Sequence, residues 1–243
     1  MWKRAAAWRP DVPWRVRDAF VVFFGAWIGL PLLTQLVLVE AAKYSRVMAH
    51  FNDLATRGDV HASFVLVIID ALFGLGLVWL YLRKYQSDWL AVGLRRFNLW
   101  QAIGLILGVY IGFIFAIYIV FAIVSALVPA FNSNQAQTNE FTSPSADTRN
   151  LSLIALVIIP PILEEIVFRG FMFGAFAKRW GVIMGAILSS GLFAVAHLQF
   201  NVSLYTFILG LLLCMMYYKL RSIWPGIFFH ALNNYLAFMV AKR

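Results

Sequence analysis

The stretch NLSLIALVIIPPILEEIVFRGFMFGAF, Asn150 to Phe176, decides the reading of this chain. At 1.5 Å of rise per residue it is long enough to cross, as a helix, the roughly 30 Å hydrocarbon core of a bilayer. Yet it carries Glu164, Glu165 and Arg169 near its middle. Charge at that depth is costly and marks function by default. One segment therefore names both the solvent of the fold and a candidate site.

The rest of the chain agrees about the solvent. Of 243 residues, 62% are hydrophobic and 13% charged, with a mean hydropathy of +0.79. An ordinary soluble domain has about 45–50% apolar and about 25% charged residues. The excess apolar surface has to meet lipid, and nine Trp with 22 Phe suit the headgroup boundary and the interior. A net charge of +9 fits loops that set topology and meet anionic lipid; no soluble basic and aromatic platform for nucleic acid is present. The single Cys214 excludes an internal disulfide and a cysteine metal cluster.

Hydropathy predicts an all-α, polytopic transmembrane bundle of about seven helices. They lie near Ala19–Glu40, Ala62–Leu82, Leu99–Val128, Asn150–Phe176, Gly181–Leu198, Val202–Tyr218 and Ile223–Val240. The organisation reads as a basic cytoplasmic or interfacial lead-in (1–18), three helices (19–128), a polar loop (129–149) and a four-helix catalytic core (150–243). The lead-in has no secretory signal pattern. Residues 41–61 read as a charged loop of mixed sign. Most of the 20 Lys and Arg fall in segments that are cytoplasmic if the N-terminus is inside, which predicts a cell (inner) membrane protein, N-in. Glycines four apart (Gly25/Gly29, Gly104/Gly108/Gly112, Gly170/Gly174, Gly181/Gly185) predict close helix packing.

Six ionisable residues fall inside helices: Asp70, Glu164, Glu165, Arg169, His197 and His230. Glu165 and Arg169, four apart, can pair on one helix face. Glu164, turned by about 100°, is free to meet a different neighbour. Glu164 lies 17 residues before Gly181 and His197 lies 16 after it. A hairpin turning there sets both about 24 Å from the turn. His230 and Asn234 share a face of the last helix. Together these residues are the parts of a water-attack hydrolase. Glu164 is the general base, His197 orients water or binds a metal, and His230 with Asn234 supplies oxyanion donors. There is no His-Glu-x-x-His zinc helix, Ser189-Ser190 reads as packing, and Asp70 has no acidic partner for a dyad. A helix–helix hydrogen bond is the plain reading of Asp70.

These residues resemble the CPBP family, which comprises type II CAAX prenyl endopeptidases and bacteriocin-processing or immunity (Abi-like) proteins. The family pattern is Glu-Glu-x-x-x-Arg, then Phe-x-x-x-His, then His-x-x-x-Asn. Here it is Glu164-Glu165-Ile-Val-Phe-Arg169, Phe193-Ala-Val-Ala-His197 and His230-Ala-Leu-Asn-Asn234. The resemblance spans about Asn150–Val240. It implies an intramembrane endopeptidase acting on membrane-associated proteins or peptides, prenylated CAAX-type substrates among them. Glu164, His197, His230 and Asn234 would be catalytic, with Glu165 and Arg169 structural or substrate-positioning. Metal dependence stays open: Glu164, His197 and His230 could hold Zn²⁺. The lipid bilayer and a membrane-held substrate are the expected partners. The alternative is a non-catalytic membrane scaffold or bacteriocin-immunity protein.

Overall fold

The computed structural model describes residues 10–128, 131 and 145–240, and every regular element among them is helical. The helices are α1 (Val16–Ala42), α2 (Arg46–Thr56), α3 (Val60–Lys84), α4 (Leu99–Leu127), α5 (Arg149–Trp180), α6 (Val182–Val195), α7 (Phe200–Leu220) and α8 (Trp224–Val240). Five of them, α1, α3, α4, α5 and α7, are long and apolar enough to cross a membrane. The chain is a multi-pass membrane protein. Most of the polar loop 129–149, the first nine residues of the lead-in and the terminal Lys242–Arg243 lie outside the described residues.

All seven expected helices are present, and α2 is an addition within the segment read as a charged loop. Ser45 starts it, its hydroxyl accepting from Met48 N at 3.4 Å, and none of its residues is buried. Arg46, His50 and Asp53 fall at helical spacing on one face, a pattern that a loop reading passes over. The helix expected over Gly181–Leu198 ends at Val195. Its 14 residues reach only about 21 Å, short of the bilayer core. Beyond it the chain turns through Ala196 and His197, and Leu198 takes a left-handed φ of +57°.

Lipid tails are as apolar as leucine, so these helices associate through packing and polar contacts, not through escape from water. The glycines test this one by one. A Cβ at Gly170 would stand 2.4 Å from Val92 O, one at Gly174 3.0 Å from Val12 Cγ1, and one at Gly185 2.6 Å from Ala177 N. Those positions are close approaches, as expected. The α4 glycines are not: a Cβ at Gly104, Gly108 or Gly112 would meet nothing within 4 Å. No helix among the described residues covers that stripe.

The packing centre is α5, where Phe168, Phe171, Phe173 and Phe176 are fully buried. On α3, Gly74 receives Leu163 of α5. The α3–α4 connection is tied in as well. Val92 is buried against Gly170, Ile223 N donates to Gly93 O (2.9 Å), and Ser222 Oγ donates to Arg95 O (2.7 Å). Residues 10–15 are not helical and bend at Pro13–Trp14; Pro10, Val12 and Trp14 are buried and Asp11, Pro13 and Arg15 exposed.

Candidate active site

The site is built on an irregular helix. Within α5, residues Ile154–Ile158 and Glu165–Phe173 widen into π turns, in which pairing shifts from i→i+4 to i→i+5. Such turns concentrate at functional sites. Three of the carbonyls of α5 also accept from side chains elsewhere in the chain. Pro160 has no N–H, so Leu156 O loses its α-helical donor; Asn234 Nδ2 of α8 donates to it at 2.9 Å. Ser189 Oγ of α6 donates to Phe168 O at 2.7 Å. Trp14 Nε1 donates to Phe171 O at 2.8 Å.

Glu165 lies at the inner end of the carboxylate pair. Its Oε1 is 3.0 Å from Arg169 Nη1 and accepts from His230 Nδ1 at 3.0 Å. All three side chains are at most 3% exposed, so the charges are compensated within the protein and not by water. Arg169 also places its guanidinium 4.2 Å from the Phe193 ring centroid, a cation–π contact in low dielectric. The Glu165–Arg169 pair is the one expected from their spacing. Gly226 keeps α8 close: a Cβ there would lie 3.2 Å from Glu165 Oε2.

Glu164 is different. Its side chain is 15% exposed, and Oε2 lies 3.6 Å from His230 Nε2. The 100° rotation expected to send Glu164 to a separate neighbour does not do so; both carboxylates face the two nitrogens of one imidazole. Glu164 closes the α-helical stretch and Glu165 opens the π stretch.

His197 sits half-buried in the turn after α6, not within a spanning helix. Its Nδ1 is 2.8 Å from Phe193 O. A carbonyl only accepts, so in the neutral ring Nδ1 carries the proton and Nε2 keeps its lone pair. His197 forms no ion pair with Glu164; the Phe193 ring stands edge-on to both imidazoles, with centroids 4.9 Å from His197 and 5.7 Å from His230. Glu164 and His230 thus meet directly, while His197 joins them through Phe193. Among the described residues no three His, Cys, Asp or Glu side chains gather closely enough to hold a metal ion. The set Glu164, His197 and His230 does not fit a metal as it stands.

The buried Oδ1 of Asp70 has no hydrogen-bond partner among the described residues. Two residues that the sequence did not single out lie beside the site. Tyr205 Oη donates to Asn233 Oδ1, and both line a cavity of about 550 Å³ with Tyr110, Phe113, Ile117 and Phe121. A hydroxyl and an amide inside apolar helices were the only signal available.

Comparison with known proteins follows the geometry. Residues 147–236 match the family model described as Type II CAAX prenyl endopeptidase Rce1-like. A Bacillus subtilis (strain 168) protein named "Putative membrane peptidase YdiL" is 32% identical over 84 residues, 35% of this chain and 34% of that one. An Escherichia coli protein named "Uncharacterized 24.3 kDa protein" is 32% identical over 127 residues, 51% of this chain and 54% of that one. The matched stretches thus cover about a third and about half of those relatives. No solved structure matches the chain.

Proposed function

We propose that the chain is an intramembrane endopeptidase with Glu164 as its general base, a reading supported by the match of residues 147–236 to the Type II CAAX prenyl endopeptidase Rce1-like family model. One observation carries the reading. Of two adjacent carboxylates, Glu165 is buried and held by Arg169 and His230, while Glu164 keeps an open side and lies 3.6 Å from His230 Nε2.

The chemistry needs no further group. Glu164 accepts a proton from water as the water oxygen bonds to the scissile carbonyl carbon. When the C–N bond breaks, that proton passes to the leaving amine. His230 donates from Nδ1 to Glu165 and so turns Nε2 toward Glu164, 3.6 Å away. His197 offers the Nε2 lone pair to the water. An amide carries two N–H donors, so Asn234 bonds Leu156 O with one and keeps the other for the developing oxyanion. No step runs through a metal, because two donors meet and not three.

The substrate class follows from the surroundings. The cavity beside Asn233 is lined mainly by aromatic and aliphatic side chains of α4, which suits a membrane-associated protein or peptide approaching from the lipid side, prenylated CAAX-type chains included. The chain would sit in the cell (inner) membrane with its N-terminus cytoplasmic. The test is cleavage of a library of membrane-tethered and prenylated peptides by the purified protein in nanodiscs, beside Glu164→Gln and with a chelator. The proposal expects cleavage by the wild type, none by folded Glu164→Gln, and none of it lost to the chelator. A folded wild type that cleaves nothing moves the scaffold or immunity reading ahead.

A further inference from the structure

The described part of the lead-in makes more contacts with α5 than a free tail would. Trp14 is 1% exposed; its ring stacks on Phe171 at 4.4 Å and 7° between planes, and its N–H bonds Phe171 O. Val12 lies against Gly174, and its carbonyl accepts from Lys178 Nζ at 2.6 Å. At the other end, Asp18 is 2% exposed. It accepts from Arg15 N (2.8 Å), Tyr85 Oη (2.6 Å) and Lys84 Nζ (3.2 Å). The Asp18 bond holds the Tyr85 phenol above the usual tyrosine range. The segment is thus fastened to α3 at one end and to α5 at the other, and it lies outside the family-matched residues 147–236.

What it is fastened to matters. Trp14 meets the π stretch Glu165–Phe173 at Phe171, six residues after Glu165 and two after Arg169. A π turn is less regular than the α-helix it interrupts and persists only where neighbours hold it. Ser189 holds Phe168 O from the α6 side; Trp14 holds the next turn from the opposite end of the sequence.

We propose that Val12–Asp18 is a positioning strap: Trp14, through its indole N–H and ring, fixes the π stretch 165–173 and with it the setting of Glu164 and Glu165 against His230. Its consequence for turnover rests on the protease reading above; its consequence for the helix does not. Trp14 touches no reacting group and is a positioning residue.

The experiment compares hydrogen–deuterium exchange and peptide cleavage in nanodiscs for wild type, Trp14→Phe and Lys178→Met. Trp14→Phe keeps an aromatic ring and removes the N–H. Lys178→Met changes an exposed side chain and removes its bond to Val12 O. Exchange within 165–173 is expected to rise about fivefold in Trp14→Phe, the size of one buried hydrogen bond, and less in Lys178→Met. Helix α4 should exchange as before. In cleavage, kcat should fall by about the same factor at unchanged KM. Unchanged exchange within 165–173 in both variants overturns the strap, as does an equal rise across all helices, which would mean a general loss of stability. If the wild type cleaves nothing, the protease reading fails while the exchange data still decide the strap.

Discussion

Helices α4 and α5 are both long, apolar and membrane-spanning, yet they solve different problems. Of the 29 residues of α4, only Ala102, Val109 and Phe113 are buried. In α5, all nine residues of Glu165–Phe173 are. Leu107, Ile111 and Tyr118 of α4 are 62%, 58% and 75% exposed, which in a bilayer means lipid. Such a face needs only to be apolar. The α5 stretch must fill space and compensate charges, and its Phe168 and Phe171 carbonyls accept side-chain donors as well. The two helices show that hydropathy measures fitness for lipid and says little about which helix is the core.

That contrast can be broken or sharpened by substitution. The largest effect should come from Arg169→Met. Removing one partner of a buried ion pair strands the other, at about 3–5 kcal/mol, so thermal unfolding in detergent should show a steep loss of Tm or no folded protein. A wild-type Tm would mean that the Glu165–Arg169 pair does not hold the core. Next comes a matched pair of glycine changes. Gly170→Ala drives a methyl into Val92 O and should cost about 1–3 kcal/mol, whereas Gly108→Ala enters open space and should be neutral or favourable by up to about 1 kcal/mol. Equal responses from the two glycines would erase the distinction between the helices. The smallest is Ser189→Ala, which deprives Phe168 O of its side-chain donor for about 1 kcal/mol, seen as a modest Tm shift.

Much of this was legible in the sequence, for physical reasons. Seven apolar stretches are seven helices because a bilayer allows almost nothing else. Glu165 and Arg169 pair because four residues is one helical turn. What could not be read depends on other parts of the chain. Asn234 reads as an oxyanion donor, yet its amide also repairs the carbonyl that Pro160 leaves unpaired. His197 was placed by counting from Gly181 as if the helix were continuous, but α6 ends two residues before it. Glu164 and Glu165 face the two nitrogens of one imidazole, which depends on where α8 sets His230. Glycine spacing alone cannot tell Gly170, pressed against Val92, from Gly108, which faces no partner. Trp14 lay in a basic lead-in with no hint that its indole reaches Phe171.

The central claim is a division of labour between adjacent carboxylates: Glu165 holds the helix and Glu164 does the chemistry. Glu164→Gln and Glu165→Gln, purified side by side in nanodiscs, test it through Tm and initial cleavage rate. The account predicts that Glu164→Gln unfolds like wild type and loses turnover by about 10²–10⁴-fold, the usual contribution of a general base, while Glu165→Gln loses Tm first. A Glu164→Gln protein that cleaves at the wild-type rate would contradict it.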